Sequence, residues 1–193
     1  MEGGVHLFTS ARVTKLPKHI NRVFWEKRSN MRKQKGFSLI ELLIVVAIIL
    51  IIAAIAIPNL LRSRIAANES SAVGSMRTIN TAQVTYNSSY PDVGFANTLA
   101  KLGPGADCSA PTSAGACLID GTLAGATSSA TAKSGYYFSD PSDANSGATG
   151  YSFTGTPKAQ GSTGVKTFYT DASGVIHFRN DGTAASSADS AIQ

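Results

Sequence analysis

Histidine and cysteine, the residues that most often bind zinc or take part in nucleophilic catalysis, are scarce in this sequence. Its 193 residues include three histidines and two cysteines. His6 and His19 lie near the N-terminus, which leaves His177 by itself in a predicted strand. A zinc centre needs about three or four protein ligands, and no nucleophile, base and orienting acid can be assembled. We therefore expect no zinc site and no enzymatic activity, and we interpret His177 as a half-exposed residue of a sheet.

The sequence also lacks an ordered loop for phosphate or calcium. The glycine-rich residues 161–164 are not followed by Lys-Ser/Thr and a helix, as a phosphate loop requires. Asp140, Asp143 and Asn145 could offer oxygen ligands to Ca²⁺, but their spacing lacks the regular acidic pattern of a strong site. We regard them as a weak calcium candidate and favour a solvated turn. No cofactor is expected.

Acidic residues are few before residue 37, and this shortage produces the net charge of +5. Residues 1–36 contain nine Lys and Arg against two Glu. The remaining eight basic and ten acidic side chains give residues 37–193 a net charge of −2. The basic balance therefore belongs to the extreme N-terminus, and it does not support a nucleic-acid partner.

One long apolar run contains much of the hydrophobic content. Residues 42–57 are sixteen consecutive apolar side chains. Counted from residue 37, the stretch reaches about 21 residues, enough to span a bilayer as a helix. The basic patch at 31–36 favours a cytoplasmic location for that end. No small-residue cleavage site follows the run, so we expect the helix to be retained and the C-terminal part to be exported.

Residues 1–36 would form a leader that is removed if cleavage follows Gly36. Residues 1–30 show no hydrophobic period, and Met31 stands directly before the basic patch. We expect translation to begin at Met31, and the alternative is a longer leader from Met1.

The helical pattern continues over residues 62–90 and becomes amphipathic. The predicted apolar face contains Leu61, Ile65, Ala72, Met76, Ile79, Tyr86 and Tyr90. The predicted opposite side contains Arg62, Arg64, Asn68, Glu69, Arg77 and Asn80. Pro91 predicts the end of the helix, since proline disfavours a helical conformation in the residue before it. Pro58 should kink or soften the helix, because it lacks an amide donor.

Residues 91–134 are rich in small residues and are predicted to be a loop region. Cys108 and Cys117 enclose eight residues there. In an exported chain a disulfide is the natural interpretation, and two buried free thiols are the alternative. Closing so short a loop stabilises a fold by about 2 to 3 kcal/mol.

Residues 135–193 contain short aromatic and β-branched runs separated by turn residues. The runs lie at 136–138, 151–153, 165–169 and 175–178. Residues 171–174 have hairpin composition. We predict an α+β fold in which an antiparallel sheet of three or four strands packs on the amphipathic half of the helix. The tail from Thr183 is expected to be frayed.

Residues 35–48, KGFSLIELLIVVAI, followed by AIAIPN at 54–59, resemble the class III signal and membrane helix of type IV pilins and of type II secretion pseudopilins. The resemblance covers about residues 32–64. It implies the pilin fold, cleavage by prepilin peptidase between Gly36 and Phe37, and N-methylation of Phe37. The membrane-spanning, filament-core helix would then extend over 37–61.

The resemblance also implies roles for Glu41 and Pro58. Glu41 would pair with the amine created at Phe37 of a neighbouring subunit, whereas the alternative is a carboxylate that reaches water at the membrane interface. Pro58 would mark a site where the helix unwinds during assembly, whereas the alternative is the ordinary tolerance of proline in membrane helices.

The function implied is that of a structural pilus subunit without catalysis. Its expected partners are other pilin copies, prepilin peptidase, the assembly platform with its ATPase, and the inner membrane. The precursor would span the inner membrane once, with its C-terminal domain periplasmic, before entering a surface pilus. The alternatives are a pseudopilin of a periplasmic pseudopilus, a DNA-uptake pilin, and a periplasmic domain that uses the helix merely as an anchor.

Overall fold

The computed structural model of the protein describes residues 36–139 and 149–192. Most of the predicted leader and the calcium candidates Asp140, Asp143 and Asn145 lie outside the described residues. The chain divides into two units, the first ending at Ile44 and the second beginning at Val45. The described part of the first unit consists of Gly36 to Ser38 and the first turns of a helix, and the second contains the remaining elements.

The main helix, α1, extends from Leu39 to Ser89. Its ends agree closely with the predicted limits. After Ser89 the amide of Tyr90 still donates to the Tyr86 carbonyl (2.9 Å), and Pro91 follows. Pro58 lies inside the helix, which remains continuous there. The kink expected at Pro58 stays a prediction.

The sheet is an antiparallel meander in which neighbouring strands are consecutive in sequence. The described residues form β1 (Tyr136–Ser139), β2 (Ser152–Pro157), β3 (Thr167–Asp171), β4 (Ile176–Arg179) and β5 (Ser190–Ala191). The α+β prediction is confirmed, and the sheet has five strands, including the short β5, where three or four were expected. The predicted 171–174 hairpin is also present, since the Gly174 amide donates to the Asp171 carbonyl and Gly174 has a φ of 74°.

The core lies between the second half of α1 and one face of the sheet. Met76 and Ile79 of α1 and Phe138, Phe153 and Phe168 of the sheet are at most 1% exposed. Glycine at position 155 lets β2 pack closely, because a Cβ there would lie 3.3 Å from the Phe138 ring and 3.4 Å from the Met76 sulfur. Burying these large side chains supplies most of the driving force for folding, at about 1.5 to 3 kcal/mol each.

The buried face of α1 begins later than the apolar pattern predicted. Ala72 is the first buried residue of the helix, whereas Leu61 is exposed and Ile65 is partly exposed. The prediction was wrong for these two positions, since the described part of the sheet covers only the later turns of α1. The apolar surface of the first half of the helix therefore extends as far as Leu61.

Several polar side chains of α1 that were predicted to face away from the sheet instead form hydrogen bonds with the sheet or its loops. Asn68 donates to the Thr163 carbonyl at 2.8 Å. Glu69 accepts from the amides of Val165 and Lys166 at 2.9 and 3.1 Å. Their positions border the buried stripe, so their side chains reach loop backbone at the edge of the sheet.

Asn80 forms a third such contact. Its amide nitrogen donates to the Thr170 hydroxyl at 2.8 Å and to the Gly174 carbonyl at 3.1 Å. Asn80 therefore joins α1 to β3 and to the turn that follows β3.

Gln83 was overlooked in the sequence, although it is fully buried in α1. Its side chain accepts from the Ala96 amide at 2.9 Å and donates to the Ala96 carbonyl at 2.7 Å. Gln83 lies four residues after Ile79 and three before Tyr86, so the helical period places it on their face. This pair of bonds fixes the start of the 91–134 region, which includes the short helices α2 (Leu99–Leu102) and α3 (Gly121–Ala124).

Residues 183–192 of the C-terminal tail form specific contacts with the sheet, so the expectation of fraying from Thr183 was wrong for them. The Thr183 carbonyl accepts from the Thr167 hydroxyl at 2.6 Å, and Ala185 is buried. Arg179 donates to Asp189 at 2.7 Å, and the amide of Ile192 donates to the Ile176 carbonyl. Contacts distant in sequence therefore hold the tail against β4.

We predict that Gln83→Ala destabilises the fold by about 2 to 4 kcal/mol, because it leaves both backbone groups of Ala96 buried without a partner. Denaturant unfolding of the detergent-solubilised chain, followed by the near-ultraviolet circular dichroism of its tyrosines, measures this loss. Val84→Ala is the control, since Val84 is the next residue and is 60% exposed. Similar small effects of the two substitutions would contradict the assigned role.

We predict that acid releases the tail through Asp189. Hydrogen bonds from Arg179 and from the Ser186 amide lower the pKa of Asp189 below its usual value. A lowered pKa in the folded state means that the stabilisation is present at neutral pH and is lost as the pH falls below about 4 and through that lowered pKa. Amide exchange at Ile192, corrected for the intrinsic rate, should therefore show protection decreasing in acid.

Asp189→Asn should reduce this protection at neutral pH and weaken its dependence on pH. Asp92→Asn, at an exposed position outside the sheet, is the matched control and should leave the wild-type profile unchanged. A tail whose protection does not depend on pH would contradict the assignment.

Candidate functional site

The predicted cleavage position lies in exposed chain just before the helix. Gly36 and Phe37 both precede α1, and Phe37 is 77% exposed. A Cβ at Gly36 would meet nothing within 4 Å. The first helical hydrogen bond reaches the Ser38 carbonyl from the Leu42 amide at 3.1 Å. The peptide bond between Gly36 and Phe37 is therefore outside the helical hydrogen-bond ladder and open to a protease.

Glu41 occupies the first turn of α1 and is exposed. Within the described ranges its carboxylate forms no hydrogen bond or ion pair. The positive end of the helix dipole favours a carboxylate at this position. Glu41 is thus available to a cation supplied from outside the described residues.

No described residue covers the apolar surface that follows Glu41. Ile51, Ile55 and Leu60 are more than 60% exposed. The helix is long and apolar enough to cross a membrane, and none of its most apolar window is buried. Since such a surface is costly to leave in water, it requires lipid or another protein surface.

The predicted disulfide between Cys108 and Cys117 is formed. Three hydrogen bonds attach its loop to the rest of the domain: the Ala116 amide donates to the Lys101 carbonyl at 2.8 Å, the Cys117 amide to the Gly103 carbonyl at 2.9 Å, and the Tyr86 hydroxyl to the Ser113 carbonyl at 2.6 Å. Burial raises the pKa of Tyr86, with a smaller contribution from Tyr90. The Tyr86 hydroxyl therefore remains protonated and able to donate at neutral pH.

His177 has a structural environment on β4. It is partly exposed, as predicted, and its Nδ1 lies 2.7 Å from the Asp189 carbonyl oxygen. Its ring also packs against Tyr169. In the part of the chain that the structure describes, no three His, Cys, Asp or Glu side chains are grouped as metal ligands would be.

Comparison with known proteins identifies the N-terminal segment. Residues 31–57 match the family model described as the prokaryotic N-terminal methylation motif. The type IV wide pilus major component of Thermus thermophilus is 67% identical over 39 residues, which cover 20% of this chain and 30% of that protein. The type IV major pilin protein of Myxococcus xanthus is 46% identical over 54 residues, covering 28% of this chain and 24% of that protein.

These matches span less than a third of each curated relative. No solved structure matches the chain. The matched segment contains the exposed Gly36–Phe37 bond, Glu41, which has no partner among the described residues, and the apolar part of α1. The N-terminal segment of this chain therefore carries the prokaryotic N-terminal methylation motif and is similar to the corresponding segments of two type IV pilins.

Proposed function

We propose that the chain is a prepilin, the structural subunit of a type IV pilus. The observation that carries this proposal is the uncovered apolar surface of α1, which directly follows an exposed Gly36–Phe37 bond. A helix that served only as an anchor would not need a processing signal before it. Both relatives are named as pilus components, which favours a pilus over a secretion pseudopilus or a DNA-uptake filament.

Processing would begin at the cytoplasmic face of the inner membrane. The basic side chains of 31–36 favour that side, and the sheet-bearing domain would then be exported. Prepilin peptidase would add water across the Gly36–Phe37 bond, giving a carboxylate on Gly36 and an amine on Phe37. That amine would then be methylated. Assembly platform and ATPase would move the mature subunit from the membrane into the filament.

Glu41 would couple processing to assembly. The amine released at Phe37 is cationic near neutral pH, and the Glu41 carboxylate has no partner among the described residues. Once apolar helices surround it, an unpaired carboxylate costs a few kcal/mol. A neighbouring subunit's Phe37 amine would neutralise Glu41 and favour one axial register.

Pro58 would ease entry into the filament. It is the proline inside α1 and has no amide to donate to Ala54. The intact helix therefore already lacks one hydrogen bond at this point. Local unwinding of the backbone there breaks one hydrogen bond fewer than it would elsewhere in the helix. We assign local unwinding near Pro58 to the step in which lipid contacts are exchanged for contacts with other helices.

We predict that the mature chain begins at Phe37 and carries one N-terminal methyl group. Mass spectrometry of the purified protein measures this directly. Gly36→Val should block cleavage, because a branched side chain hinders entry of the extended backbone into a protease site. Gly74→Val is the control, since Gly74 also has open space around its Cβ position but lies within α1. An intact leader in the wild-type protein would contradict the proposal.

We predict that Glu41→Val is processed normally but lowers the yield of sheared filaments at least tenfold. Breaking a buried ion pair costs about 3 to 5 kcal/mol, a large loss at each addition of a subunit. Ser38→Val, in the same segment, is the control and should assemble. A normal filament yield from Glu41→Val would contradict the pairing of Glu41 with the Phe37 amine.

A further inference from the structure

Arg62 and Arg64 are two exposed cations at the end of the apolar run. They are the first charged residues after Glu41 in the sequence. Over residues 36–139 and 149–192 neither forms an ion pair, although Lys133, Lys166 and Arg179 each do. No described acidic side chain occupies their guanidinium groups, which can therefore bind an anion from elsewhere.

The position of these arginines indicates where that anion lies. Residues 39–61 number 23 and carry one charge, Glu41, and about 20 apolar residues of helix cross the hydrocarbon core of a membrane. Arg62 and Arg64 follow at once, at the level of the lipid headgroups. Arginine extends its charged end to that level while its aliphatic part stays against the acyl chains, and its planar guanidinium binds phosphate with two hydrogen bonds.

The two arginines lie on nearly opposite sides of α1. Residues two apart in a helix are rotated by about 200°. The intervening Ser63 is already bonded within the helix, since its hydroxyl donates to the Asn59 carbonyl at 3.0 Å. Arg62 and Arg64 should therefore bind separate headgroups, and their contributions should be independent.

The rest of the exported domain would not itself attract an anionic surface. Residues 65–193 contain six basic and nine acidic side chains, a net charge of −3. Any preference for anionic lipid on this side must therefore come from the two arginines next to the membrane rather than from the charge of the domain.

We propose that Arg62 and Arg64 bind the phosphate groups of anionic phospholipids on the exported side of the membrane before the subunit assembles. The inference rests on the proposed membrane-anchored precursor and adds a lipid partner to it. Each arginine holds one headgroup, and both contacts are released when the helix leaves the bilayer.

The test uses the full chain in nanodiscs of equal parts phosphatidylglycerol and phosphatidylcholine. Native mass spectrometry gives the ratio of the two lipids that remain bound after the disc is removed. A Lys or Arg close to an anionic membrane surface strengthens binding to that surface about fivefold. Arg62→Gln and Arg64→Gln should each lower the ratio by up to about fivefold, and the double variant by up to about 25-fold.

The leader carries its own basic residues, but they are the same in every variant, so differences between variants isolate the two arginines. Arg77→Gln is the matched control. Arg77 is also exposed and unpaired among the described residues, but it lies about 20 Å further along the helix. It should leave the ratio unchanged.

Two results would overturn this inference and leave the proposed membrane anchoring intact. One is a double variant that keeps the wild-type lipid ratio. The other is a decrease of the lipid ratio in Arg77→Gln equal to that in Arg62→Gln. Failure of the wild-type chain to enter nanodiscs at all would contradict the proposed membrane anchoring and this inference with it. The two failures are distinguished by whether the chain migrates with the discs.

Discussion

The uncovered apolar surface of α1 between Leu39 and Leu61 is the constraint on which the rest of the account depends. Its large side chains are between 44 and 79% exposed, and at about 25 cal/mol per Å² such a surface is not stable in water. A bilayer covers it without any protein partner. Leaving the bilayer would require an equally apolar replacement, and in the proposed filament other copies of the same helix would provide one.

The second half of α1 meets a different requirement, because it must hold a folded domain. Large apolar side chains supply the energy, but polar side chains fix the position of the surrounding loops. Asn68 and Glu69 hold the loop before β3, Asn80 holds β3 and the turn after it, and Gln83 holds the segment that leads to the disulfide loop. The domain is thus attached to α1 at several points along the helix, as the proposed movement of the subunit by its helix would require.

Local sequence patterns predicted the elements better than the contacts between them. The apolar run, Pro91 and the 171–174 turn predicted the limits of α1 and the β3–β4 hairpin, because those signals act within a few residues. The tail was mispredicted, since β5 and the Arg179–Asp189 pair depend on a strand that must already be in place. Asn68, Glu69 and Asn80 were placed on the wrong side for the same reason: their partners are 90 or more residues away.

Within the candidate site, Gly36, Phe37 and Glu41 could be recognised from the sequence because their signal is short and contiguous. Their assigned roles depend on a second molecule, a peptidase or a neighbouring subunit, and one chain by itself does not contain the contacts. Gln83 could have been found from its spacing to Ile79 and Tyr86. Its bonds to the backbone of Ala96 could not, because the 91–134 region has no regular pattern.

The most direct test of the central claim is cryo-electron microscopy of filaments sheared from cells that produce this chain. We expect a helical polymer in which residues 39–61 lie at the centre and pack against the same residues of neighbouring subunits. The sheet domains would form the outer layer, and each Glu41 would face the Phe37 amine of another subunit. Filaments without this chain, or with its apolar helix facing solvent, would contradict the account.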